Sequence, residues 1–110
     1  MGGQKVIDIT ITPEHLEKLY LENGFCYTEN AELLSEEMSE LNKELIKLIR
    51  RRKKCAMAEL ENIPIIITEA KPSIAEEMAH VYICMEAIKD ILGIKGSDIQ
   101  RYIDAKEMKK

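Results

Sequence analysis

The sequence predicts an all-α fold, a helical bundle of about four helices completed by a second copy of the chain. Three observations carry this. Apolar residues recur in alternating steps of four and three over two long segments. Strand-like alternation is confined to the first dozen residues. Residues that start and stop helices sit at the segment ends.

The elements follow in order along a single domain, residues 1–110. Residues Val6 to Ile11 alternate apolar and polar, as a short strand or extended arm would, so 1–12 reads as an N-terminal arm. Thr12-Pro13 supplies an N-cap and a proline at the first helical position, and Gly24 a left-handed stop after Asn23. The second helix opens near Thr28 or Asn30 and runs to at least Lys54, with an apolar line of Leu34, Met38, Leu41, Leu45 and Leu48. Residues 55–72 read as a connector whose isoleucines favour an extended, packed piece. Pro72 and Ser73 then open a third helix, with Ser73 and Glu76 at capping-box spacing. Its apolar line is Ile74, Met78, Val81, Met85, Ile88 and Leu92, and Gly93 ends it. A last helix runs from Asp98 towards Lys106. Only two helices are long, and both carry wide apolar stripes, so a dimer that completes the bundle is expected.

Composition narrows the function. Acids outnumber bases 20 to 16, for a net charge of −4. That excludes a general nucleic-acid binder, whose affinity comes from neutralising phosphates. Three cysteines without a CxxC pair read as reduced thiols rather than a disulfide framework or zinc site. The start lacks the apolar core of a signal peptide, and no apolar run approaches the ~20 residues that span a bilayer. A cytoplasmic protein without membrane contact is expected.

An offset of forty superimposes the two long helices. EEMSEL (Glu36 to Leu41) falls on EEMAHV (Glu76 to Val81), and the two apolar lines coincide. Glu37 and Glu40 are three residues apart on one helix face, and Glu77 and His80 hold the equivalent places on the other. Carboxylates at a core margin repel one another and lose hydration, and a divalent cation removes both penalties. Oxygen-rich sites suit Mg²⁺ or Mn²⁺. The same spacing also suits a solvated face, with Lys43, Lys47 and Arg50 pairing the acids. The duplication in one frame is what favours a metal. The run Arg50 to Lys54 lies roughly 15–20 Å beyond Glu40 at 1.5 Å per residue, too far for one triphosphate. Arg101 and Lys106 on the last helix are candidates for phosphate contact.

With these residues in view, the chain resembles the MazG-like all-α nucleoside triphosphate pyrophosphohydrolases. That family carries EExxE on one helix and ExxD on a later one, usually within AEELADV. Glu36-Glu37-Met38-Ser39-Glu40 matches the first motif fully, and Ala75-Glu76-Glu77-Met78-Ala79-His80-Val81 matches the second except at His80. The resemblance spans about Pro13 to Lys106. It implies a dimer, or a dimer of dimers, that hydrolyses a nucleoside triphosphate to the monophosphate and pyrophosphate. It implies Glu37, Glu40 and Glu77 as Mg²⁺ ligands, with His80 in the place of the last acid. Glu36 or Glu40 would take the proton from the attacking water, and Phe25 and Tyr27 would stack on the base. Imidazole favours Mn²⁺ over Mg²⁺, so a ligating His80 implies Mn²⁺ preference and activity that falls as histidine protonates. The competing expectation is a non-catalytic helical oligomer that binds nucleotide or protein.

Overall fold

The structure is a computed structural model that describes residues 7–55 and 57–107. It contains helices α1 (Pro13–Asn23), α2 (Tyr27–Lys54), α3 (Ile63–Leu92) and α4 (Gly96–Glu107), with a short 3-10 segment (Met57–Asn62) before α3. No strand forms among the described residues; residues 7–12 have no regular structure, and the part of the expected arm over 1–6 lies outside the described residues.

Local signals explain most of the helix ends. The Thr12 N–H donates to His15 Nδ1 (2.9 Å), while the His15 N–H donates to Thr12 Oγ1 (3.4 Å), a capping box that uses histidine instead of glutamate. Gly24 takes φ 78° and Gly93 φ 68°, ψ 30°, and both positions follow a helix end. The turn between α1 and α2 is tied by Asn30, whose side-chain amide donates to the carbonyls of Gly24 (3.0 Å) and Cys26 (2.9 Å). The second helix consequently opens at Tyr27, earlier than Thr28 or Asn30. At α4 the capping acid is Asp98, which accepts from the Lys95 N–H (3.1 Å), and the helix starts at Gly96 instead of Asp98.

The principal unit is an antiparallel hairpin of α2 against α3. Contacts between Glu37 and His80, and between Arg51 and Glu69, establish the direction: one number rises as the other falls. The buried and half-buried positions include Asn30, Leu34, Glu37, Leu41, Glu44 and Leu48 on α2, and Ile66, Ala70, Ile74, Glu77, Val81 and Cys84 on α3. Both sets advance in steps of three and four.

Two expectations are corrected here. The connector proposed for 55–72 shrinks to residues 55–62, because α3 is one helix of 30 residues that begins at Ile63. Pro64 is the real start signal, in the first turn where a missing N–H costs nothing. Pro72 sits inside the helix, where it removes one hydrogen bond at a cost of roughly 3 kcal/mol. The stripe Ile63, Ile66, Ala70 and Ile74 continues the line packed on α2, and that burial outweighs the lost bond. Ser73 and Glu76 are therefore mid-helix residues and form no cap. The second correction concerns four positions of the core lines. Leu34, Leu41, Leu45 and Leu48 on α2 and Ile74, Val81 and Ile88 on α3 are half-buried as expected, but Met38, Met78, Met85 and Leu92 are exposed, while Glu37, Glu77 and Cys84 are buried or half-buried.

The molecule is open. Among the described residues only Tyr20, Asn30, Cys84 and Ala87 are buried. The radius of gyration is 17.6 Å, against about 13 Å for a compact domain of this length. No helix is long and apolar enough to cross a membrane, among the described residues.

Candidate metal centre

Packing of α2 on α3 places Glu37 of α2 and Glu77 of α3 face to face in the hairpin seam, with His80 one turn after Glu77. The two carboxylate side chains are 20% and 19% exposed, and the imidazole 46%. His80 Nδ1 lies 3.1 Å from Glu37 Oε2 and 3.6 Å from Glu77 Oε2. Glu77 Oε2 is itself buried and lacks a hydrogen-bond partner. One ligand atom from each residue falls within 4.8 Å of the others. Bonds of about 2.1 Å put two ligands of one ion at most ~4.2 Å apart, so small side-chain rotations would gather these three around a cation. A carboxylate oxygen stripped of water and left without a donor is the atom that such an ion would satisfy.

The remaining candidates stand apart from this trio. Glu40 is exposed and pairs with Lys43 (3.1 Å) one turn further along its own helix. Glu36 is exposed on the same flank, beside Glu37 in sequence. Arg101 lies over the ring of its neighbour Tyr102 (5.1 Å), and Lys106 is exposed on the same helix α4; neither pairs with the acids. In the basic run, Arg51 reaches across to Glu69 (2.6 Å), about 21 Å along α2 from Glu37. Phe25 packs on Tyr20, ring centroids 4.4 Å apart, and lines a groove of about 530 Å³ with Leu16, Glu86 and Asp90. Glu86 and Asp90 are six and ten residues beyond His80, roughly 9–15 Å along α3. Tyr27 is exposed at the first position of α2.

Near the site, Cys84 is the small core residue its sequence position predicts, whereas Tyr20 was not anticipated. Tyr20 donates its hydroxyl to Asp90 Oδ2 (2.7 Å), which fastens α1 to α3. Burial, and then the Asp90 carboxylate, push that hydroxyl up to about 12. Cys84 is buried one turn beyond His80, and burial followed by the Glu37 carboxylate pushes its thiol up. Tyr20 gave no signal: its partner is 70 residues away.

Comparison of the chain with protein-family models, with curated proteins and with solved structures gave no match.

Proposed function

We propose that this protein is a metal-dependent nucleotide pyrophosphohydrolase, cleaving a nucleoside triphosphate to the monophosphate and pyrophosphate. The observation that carries the reading is the convergence of Glu37, Glu77 and His80, with the buried Glu77 Oε2 lacking a donor. A divalent ion held by these residues would neutralise triphosphate oxygens and acidify a water nucleophile. The protein's own part is positional. Two helices packed along their length hold the two glutamates at one level, and the seam keeps water from one side of them. Glu36 and Glu40 border the trio on the exposed flank and are the bases within reach of a water there. Of the two, Glu36 lacks an ion-pair partner, while Glu40 is engaged by Lys43. The groove beside Phe25 would receive the base. Mg²⁺ is the cofactor the carboxylates favour, with Mn²⁺ favoured by His80. Arg101 and Lys106 reach phosphate only if α4 approaches the seam. The working unit is a homodimer or a dimer of dimers, in the cytoplasm, where three free thiols persist.

A second reading has its own observation. The 3.1 Å contact between His80 Nδ1 and Glu37 Oε2 joins the two side chains without a metal, as expected of a non-catalytic helical module. A panel of nucleoside triphosphates with Mg²⁺ or Mn²⁺, scored for pyrophosphate and monophosphate, separates the two. Release of both products that falls at least 100-fold in Glu37→Gln supports the enzyme. Absence of product under every condition, with Mn²⁺ binding undetectable by calorimetry, leaves the module.

A further inference from the structure

The α2–α3 hairpin has two unlike faces, and their placement follows from geometry. On α2 the residues one after the seam positions are mostly apolar or small: Ala31, Ser35, Met38, Asn42, Leu45 and Ile49. On α3 the same step gives Ile67, Lys71, Ala75, Met78, Tyr82 and Met85. One residue is a rotation of about 100° in the chain's own sense. Because the helices are antiparallel, equal rotations carry both rows to the same side of the hairpin. The residue before each seam position lies on the opposite side; there α2 has Glu29, Glu36, Glu40, Lys43 and Lys47 with one leucine, Leu33, and α3 has Glu69, Ser73, Glu76 and His80 between Ile65 and Ile83.

Among the described residues the apolar side is only partly covered. Met38, Met78 and Met85 are 53%, 42% and 52% exposed, and from Ala75 to Met85 the α3 row has no charge. The irregular segment before α1 runs beside the α3 row, where Ile9 and Ile11 share grooves with Ala75, Met78, Tyr82 and Met85. Alongside, Leu34, Ser35, Met38 and Ser39 line a shallow depression of about 360 Å³ on α2. A protruding methionine beside a depression floored by small residues makes the patch complementary to itself, as a two-fold interface requires. The area agrees. The chain exposes 9102 Å², about 2,900 Å² more than the ~6,200 Å² of a compact monomer of this mass. An obligate dimer removes about 1,000–2,500 Å² from each copy.

We infer that this Met38–Met78 face binds a second copy of the chain, hairpin on hairpin, and that the Glu37–Glu77–His80 centre opens on the opposite side. It rests on the dimer of the preceding reading and adds where that dimer forms and that the metal centre is complete within one copy. Both methionines are exposed, so charge can be introduced at them without filling or emptying the seam.

Light scattering of the full chain at micromolar concentration, with Mn²⁺ titration calorimetry, tests this. Wild type and Glu32→Arg, a change on the charged side, are expected as dimers. Met38→Glu/Met78→Glu is expected as a monomer that keeps its helical circular dichroism and binds Mn²⁺ within about threefold of wild type. A monomeric wild type overturns both the face and the dimer. A dimeric wild type whose double variant is also dimeric overturns the face alone. A monomeric variant that loses Mn²⁺ binding overturns the separation of the two faces. Should the variant unfold, oxidative footprinting of wild type decides: Met38 and Met78 are expected to oxidise several-fold more slowly at micromolar than at nanomolar concentration. Equal rates overturn the proposal.

Discussion

The two ends of the α2–α3 hairpin are built differently. At the end near α1, Tyr20, Asn30, Cys84 and Ala87 are all buried, and each polar group among them has a partner. At the other end Ile46, Ile49, Ile65 and Ile67 are exposed, and the cross-helix contact is a solvated Arg51–Glu69 pair. A third element makes the difference. Two helices alone share one seam, whereas α1 adds a second seam at one end and encloses what lies between. The metal centre sits along the hairpin between these regimes, anchored by the closed end and open on its charged flank.

Breaking the closed end should have the largest effect on stability. In Asn30→Ala the Gly24 carbonyl loses its donor and the Cys26 carbonyl keeps only the backbone N–H of residue 30, with an expected loss of about 1–3 kcal/mol in chemical denaturation. A loss below 0.5 kcal/mol would mean that the turn is held by something else. Tyr20→Phe removes the hydroxyl from Asp90 and should cost about 1–2 kcal/mol. The same residue sharpens the contrast through pH. Its folded value of about 12 lies above the ordinary 10.0. The folded state therefore keeps its proton where the unfolded state releases it. The contribution is complete below pH 10 and is lost as pH rises towards 12. Denaturation midpoints of wild type should fall more steeply across that window than those of Tyr20→Phe; parallel curves would contradict the Tyr20–Asp90 bond. At the open end, Arg51→Ala removes an exposed ion pair and should change stability by less than 0.5 kcal/mol.

Particular residues show how much of this was legible in the sequence. The boundaries of α1 and the end of α3 followed from Thr12, Gly24 and Gly93, whose backbone preferences act locally. The sequence placed Glu37, Glu77 and His80 at the core margins of two long helices, but their meeting at one level is set by the antiparallel register of the hairpin, which a forty-residue offset does not fix. Glu40 did not join them: a residue three further along is rotated by about 60° from Glu37, out of the seam and towards Lys43. The exposed methionines of the core lines have a related reason. Each long helix is apolar over about half its circumference, and periodicity locates such a stripe without saying which half meets the partner helix. Pro72 misled because its local cost is real, yet smaller than the burial that α3 gains by continuing.

By itself the sequence determined α1 with both its caps, the end of α3 at Gly93 and the pair of matching acidic motifs, because those depend on contacts within a few residues. The tertiary structure alone decided that Glu77 rather than Met78 lies in the seam, that α3 runs through its proline, and that Tyr20 reaches Asp90. Each of these depends on which surfaces meet across the chain. Packing of one helix against another is what set Glu77 Oε2 out of reach of water and of any donor.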